Sequence, residues 1–255
     1  MVIMKKLYTI FAFLCIHSIV YGNTFNFHYK LSDSTNINFK LLDYTPKEKY
    51  LKKYPLLVFL HGKGECGIDN EKQMYHLKKW LPDSLKKSSY NCYFLAPQIP
   101  VNQTWSYYNK HEEVLNFADS CPLSQQILIR VIDSLSNQLN IDINRIYIIG
   151  ISMGAFGVTD IVCRNPLKFA AAIAICGGGA SAAVNKKLKT SFWLFHGKKD
   201  TTVPHRHSVN YYEKISAIKP NTHRLTLYEN VNHTAWVNAF KEKDILSWLF
   251  SKKTE

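Results

Sequence analysis

The chain has 255 residues, 46% of them hydrophobic and 20% charged, a balance that excludes a disordered or fibrous protein and suits one large globular domain. Its formal net charge is +13, but the lysines lie in scattered pairs such as Lys52-Lys53, Lys86-Lys87 and Lys198-Lys199. With no nucleic-acid motif beside them, they argue against a nucleic-acid partner and read as a solvated lysine surface, attraction to an anionic polysaccharide or a membrane surface being the alternative.

Residues 1–22 read as a targeting segment. Lys5 and Lys6 precede an apolar run of about 14 residues, short for a membrane-spanning helix of ~20. Val20-Tyr21-Gly22 then offers a signal-peptidase site, and Leu14 before Cys15 fits a lipoprotein anchor poorly. The expectation is a cleaved signal at 1–22 and a secreted or periplasmic domain at 23–255, with no stable membrane insertion once processed. An uncleaved anchor is the rival.

Segments 25–31 and 37–44 alternate apolar and polar residues, as half-exposed antiparallel strands do. Six near-continuous apolar runs follow, at 56–60, 92–96, 146–149, 171–175, 192–195 and 225–228, suiting parallel strands buried on both faces. Helical patterns lie between them. Ile127, Val131, Leu135 and Leu139 step by four behind Pro122, and further helices are expected at 70–81, 153–164, 205–218 and 235–250. The alternation predicts one α/β domain with a mostly parallel eight-stranded sheet flanked by helices. The stretch 97–121 has no periodicity and carries Trp105, Tyr107 and Tyr108, which could stack on a sugar or aromatic group or pack a loop core.

Five cysteines lie beyond the first segment, an odd set without CxxC spacing, so neither a zinc site nor a full disulfide framework is expected. Cys66 and Cys121, both in loops, could pair in an oxidising compartment.

Chemistry enters at Gly150-Ile151-Ser152-Met153-Gly154, between the run 146–149 and a helical segment. A serine on such a turn is strained, its hydroxyl pushed above the sheet, with the helix N-terminus favouring negative charge beside it. A nucleophilic serine needs a base and the base an orienting carboxylate, which on this architecture follow in the order acid, then histidine. Asp200 lies in the loop after run 192–195, and His233 in the loop after run 225–228. His196 reads as a turn residue, and His205, His207 and His223 sit at helix starts or the wrong edge. The oxyanion hole is expected from the amides of Met153 and Lys63, the latter in Leu60-His61-Gly62-Lys63-Gly64, where His61 reads as structural. Asn102-Gln103-Thr104 and Asn232-His233-Thr234 match the glycosylation pattern, the second by chance if His233 is the base. No HExxH, P-loop or dinucleotide fingerprint appears, so no metal and no cofactor is expected.

Six blocks in order (FLHGKGECGIDN, APQIP, RIYIIGISMGAFG, AICGGG, FHGKKDTTVP and VNHTAW) resemble the secreted esterase and "predicted peptidase" group of α/β-hydrolases, relatives of dienelactone hydrolase, feruloyl esterases and polyhydroxybutyrate depolymerases. The resemblance covers about residues 54–250 and implies a Ser152, Asp200, His233 triad. It also implies that Glu65, Asp69 and Asn70 shape the loop behind the oxyanion hole, and that Trp236 packs beside the histidine loop, where it could touch substrate as Trp105 could. Ala155 and Cys66 depart from the group's usual glycine and arginine. Only about 16 residues separate runs 171–175 and 192–195, where many relatives insert a cap, so no cap domain is expected. The expected function is a secreted serine carboxylic ester hydrolase acting on a small ester or an acylated polysaccharide, with acetyl and feruloyl as candidate acyl groups. A prolyl-oligopeptidase-like serine peptidase and an inactive carbohydrate-binding relative are the alternatives.

Overall fold

The computed structural model describes residues 17–20, 23–32, 35–46, 52–78, 80, 81, 85 and 90–254. Among these residues nine strands form one sheet: β1 (His17–Val20), β2 (Asn23–Ser32), β3 (Thr35–Asp43), β4 (Tyr54–Leu60), β5 (Tyr93–Gln98), β6 (Ile141–Ile151), β7 (Ala171–Ile175), β8 (Ser191–Gly197) and β9 (Arg224–Tyr228). Their spatial order is β1-β2-β3-β5-β4-β6-β7-β8-β9. The first three strands pair antiparallel, as does β3 with β5, and every pairing from β5 to β9 is parallel. The eight expected strands are all present, and β1 adds a short edge inside the segment read as a signal, whose other residues lie outside the described ones.

Burial follows the strand period of two. In β4, Leu56, Val58 and Leu60 point to one face and pack with Ile148, Ile127, Leu128 and Val158. Leu57 and Phe59 point to the other and pack with Phe94, Ile149, Trp193 and Trp248. Each such side chain contributes roughly 1.5–3 kcal/mol of burial energy, so both faces anchor the central strands. The run at 225–228 is instead a half-exposed edge strand, since nothing pairs beyond β9 among the described residues.

Five α-helices are described: α1 (Leu123–Gln138), α2 (Met153–Arg164), α3 (Arg206–Ile218), α4 (Trp236–Ala239) and α5 (Ile245–Phe250). The expected last helix is thus two. The run Lys241-Glu242-Lys243-Asp244 offers nothing apolar to bury, and Glu242 accepts the Tyr228 hydroxyl at 2.7 Å. The helix expected at 70–81 begins as a single 3-10 turn, Lys72–Met74. There Asp69 captures the amides of Glu71 and Lys72 and bends the chain into a turn. Between β7 and β8 lies one 3-10 turn, Ser181–Ala183, and no cap. No helix among the described residues is long and apolar enough to cross a membrane. Cys66 and Cys121 are free thiols, so the disulfide considered from sequence is not formed.

The parallel strands end on one edge of the sheet. Leu60 pairs with Gly150, Ile151 with Ile175, and Gly197 with Tyr228. The loops after β4, β6, β8 and β9 therefore meet on that edge, where open α/β sheets place their sites.

Candidate active site

Ser152 sits between β6 and α2 with φ 52° and ψ −117°. A non-glycine residue there costs on the order of 1–3 kcal/mol and needs support from its surroundings. Its amide donates to Ile175 O at 2.8 Å, continuing the sheet ladder, and its carbonyl accepts the Ala155 amide at 2.9 Å, opening the helix. The flanking glycines make the turn possible. A Cβ on Gly150 would stand 2.3 Å from Gly154 O, and one on Gly154 would stand 2.1 Å from Leu60 O. Strand, turn and helix touch backbone to backbone.

The other loops bring His233 and Asp200 to this serine. Ser152 Oγ lies 2.8 Å from His233 Nε2, and His233 Nδ1 lies 2.7 Å from Asp200 Oδ2. A carboxylate only accepts, so Nδ1 carries the proton and Nε2 is left to accept the serine hydroxyl. Asp200 Oδ1 accepts the amides of Thr202 and Val203, each at 2.9 Å. Burial would raise the Asp200 pKa, but the hydrogen bonds from His196, His233 and the Val203 amide hold it well below the usual carboxylate range. The acid and base loops are locked together, since a Cβ on Gly197 would stand 2.2 Å from Val231 O.

The amides of Lys63 and Met153 each open a helical turn, the 3-10 turn Lys63–Glu65 and α2, where first N–H groups lack intrahelical partners. A Cβ on Gly62 would lie 3.7 Å from Ser152 Cβ, so the turn stands directly beside the serine. His61 is structural, as expected. Its Nδ1 donates to Gly62 O at 2.6 Å, its Nε2 accepts the Ile99 amide at 3.2 Å, and burial lowers its pKa.

Behind this turn, Asp69 and Asn70 behave as the resemblance implied, through a residue that sequence reasoning passed over. Gln98 donates to Glu65 O at 3.1 Å and Asp69 Oδ1 at 2.9 Å, and accepts the Asn70 amide at 2.6 Å. Its place in the APQIP block was the available signal. His76 was also missed. It lies 3.2 Å from Glu65 Oε1, and this partner draws the Glu65 pKa down against the opposing effect of burial.

His196 does more than hold its turn. Fully buried, it places Nε2 3.2 Å from Asp200 Oδ2 and 3.0 Å from Val203 O, and Nδ1 2.7 Å from Ser208 Oγ. Cys176, His196 and Asp200 each bring a possible metal-ligand atom within 4.8 Å of the others. The histidine and carboxylate are engaged in hydrogen bonds with each other and with Val203, Ser208 and His233, and burial pushes the Cys176 thiol up to about 12.

Of the two tryptophans expected near substrate, Trp236 lies at the site. It is half-buried, with its ring edge-on to His233 at 5.6 Å and tilted on His76 at 5.0 Å. Trp105 does not reach it. Fully buried, it donates Nε1–H to His61 O at 3.2 Å and closes against Gly157, so it pins the long loop after β5 and cannot stack on a ligand. Asn232 accepts the Thr234 hydroxyl at 2.7 Å, within the histidine loop. The open side of Ser152 is a cleft of about 500 Å³ between Lys63, the long loop, the first turn of α2 and Val203.

The sequence model of the phospholipase/carboxylesterase family matches residues 47–247. Among solved structures, a thermostable esterase is 33% identical, with a TM-score of 0.77 over 90% of this chain and 63% of that one. A ferulic acid esterase is 16% identical, with a TM-score of 0.62 over 89% and 96%. An acylaminoacyl peptidase of Pyrococcus horikoshii is also 16% identical, with a TM-score of 0.60 over 93% and 43%. The chain thus spans under two thirds of the esterase and under half of the peptidase. No curated protein sequence matches it.

Proposed function

The chain belongs to the phospholipase/carboxylesterase family of α/β-hydrolases, and from that premise we propose that it hydrolyses carboxylic esters through a serine acyl-enzyme. The observation that carries this reading is the relay from Ser152 to His233 to Asp200, at 2.8 and 2.7 Å. In the first half-reaction His233 Nε2 takes the hydroxyl proton as Ser152 Oγ bonds to the ester carbonyl carbon. The carbonyl oxygen becomes an oxyanion facing the amides of Lys63 and Met153. Collapse breaks the bond to the alcohol oxygen, which leaves with the proton from His233. Water then attacks the acyl-serine, gives its proton to His233, and the acid departs as the proton returns to Ser152. Asp200 holds the imidazole in the required tautomer and balances its charge when protonated.

In this proposal Trp236 borders the bound ester, and the absence of a cap leaves room for an acyl group carried on a polysaccharide, acetyl and feruloyl being the first to test. Residues 1–22 act as a secretory signal, checked by sequencing the mature N-terminus of the exported protein. The deciding experiment is a panel of p-nitrophenyl acetate, p-nitrophenyl butyrate, methyl ferulate and acetylated xylan, with peptide p-nitroanilides alongside. Wild type is expected to hydrolyse esters and Ser152→Ala to lose about 10⁴-fold or more in kcat. Ester turnover untouched by Ser152→Ala would refute the mechanism, and anilides preferred over esters would reassign the reaction to peptide bonds.

A further inference from the structure

The cleft over Ser152 has a one-sided charge. Lys63, Lys110 and His111 line it together with the neutral polar side chains of Asn102, Gln103 and Asn109, and no aspartate or glutamate lines it. Three neighbouring carboxylates are directed elsewhere. Glu65 faces His76, Asp200 is fully buried behind His233, and Glu112 accepts the Asn116 amide at 3.1 Å.

Some cations elsewhere on the molecule find carboxylates, as Lys168 does with Asp133, Lys198 with Glu229 and Arg164 with Asp160. Lys63 and Lys110 make no ion pair with any described residue. The backbone of Lys110 is held, because its carbonyl accepts His207 Nε2–H at 3.0 Å from α3, and Lys63 rides on the glycine-flanked turn beside Ser152. Two lysines without ion pairs, on held backbone, line the cleft beside the nucleophile together with amide donors, a lining suited to an anion. A cleft of one sign also focuses the field and concentrates substrates of opposite charge.

We propose that this cleft binds a carboxylate carried by the substrate, so that the preferred esters are acidic ones. The inference rests on the ester-hydrolase reading above and names its substrate class. The carboxylate could belong to the acyl group, as in a half-ester of a dicarboxylic acid, or to the alcohol, as in an acylated uronate. Both place one negative charge within reach of Lys63 and Lys110, and the test separates them.

The experiment compares kcat/KM within two matched pairs, p-nitrophenyl hemiglutarate with p-nitrophenyl valerate, and 4-acetoxybenzoate with phenyl acetate. Each rate is normalised to the hydroxide-catalysed rate of the same ester. In at least one pair the carboxylate member is expected to be preferred, by about fivefold per lysine engaged. The preference should fade toward unity at high salt, where exposed charges are screened within ~3 Å at 1 M. Lys110→Gln is expected to remove about fivefold of the preference while leaving the neutral esters unchanged. His111→Gln should change the preference in the same direction. Preference in the first pair assigns the charge to the acyl side, and preference in the second to the alcohol side. Neutral esters hydrolysed without a carboxylate preference in either pair would overturn the inference and leave the ester-hydrolase reading standing. So would a preference indifferent to Lys110→Gln and to salt. Failure to hydrolyse any of the four esters would overturn both.

Discussion

Gly154→Ala tests how tightly the nucleophile turn is bound to the oxyanion turn. The added Cβ would stand 2.1 Å from Leu60 O, 2.6 Å from Leu60 C and 2.7 Å from His61 O. All three obstacles are backbone, so no side chain can rotate away. Restoring ordinary contact, at 3.4 Å or more, requires the end of β4 and the start of α2 to separate by more than 1 Å. Overpacking of this kind costs roughly 1–3 kcal/mol, which for a protein of this size lowers Tm by about 2–12 °C. The same separation widens the gap between the amides of Lys63 and Met153, and a 1 Å misplacement of catalytic groups is worth about 10² in rate. Gly64→Ala is the matched control, because a Cβ there meets nothing within 4 Å, and its effect should stay within about 0.5 kcal/mol. Thermal unfolding by circular dichroism and kcat on p-nitrophenyl butyrate read the two consequences separately. A Gly154→Ala protein with unchanged Tm and unchanged kcat would refute the close approach on which the argument depends.

Asp200→Asn should keep the fold and KM while lowering kcat by about 10⁴, since an amide can donate to Nδ1 and favour the wrong tautomer. Parallel CD spectra and steady-state kinetics check both halves. His223 is buried, with Nδ1 accepting the Phe192 amide at 3.1 Å and Nε2 without a partner, and burial pushes its pKa down to about 4. Because the folded value lies below the unfolded one, its stabilising effect is complete above about pH 6.5 and is lost as pH falls toward 4, about 3 kcal/mol across the window. Urea titrations of wild type and His223→Gln at pH 7 and pH 5 should show a drop for the wild type that the variant largely lacks. Among the cysteines described, Cys121 alone is half-exposed, so native protein should react with Ellman's reagent at that thiol and release the buried ones only on unfolding.

Most of the frame could be read from the sequence because its signals were local. The buried strands announce themselves as runs apolar at every position, and the elbow at Ser152 by two glycines whose spacing has the steric cause measured at Gly150 and Gly154. Asp200 and His233 were legible from chain order, since strand ends on a parallel sheet share one edge. What escaped were long-range polar contacts. Gln98 joins Glu65, Asp69 and Asn70 across about thirty positions, and His196 reaches Asp200 only because the turn between them folds back on itself. Trp105 misled because an aromatic residue in an irregular loop can face either way. Only the packing against Gly157 and the bond to His61 O settle that it faces inward.

The relay spans 81 positions from Ser152 to His233 and closes only when β9 has joined the sheet edge and its following loop has settled on Gly197. Until then the serine sits on a formed elbow with no base, an alcohol of ordinary reactivity. Under the proposed mechanism, turnover works as a completion signal for folding, silent in any intermediate lacking the last strand. Because β9 is the half-exposed edge, fraying there should extinguish activity while the central strands and their spectroscopic signature persist. Loss of catalysis should run ahead of loss of structure on gentle heating, and return last on cooling.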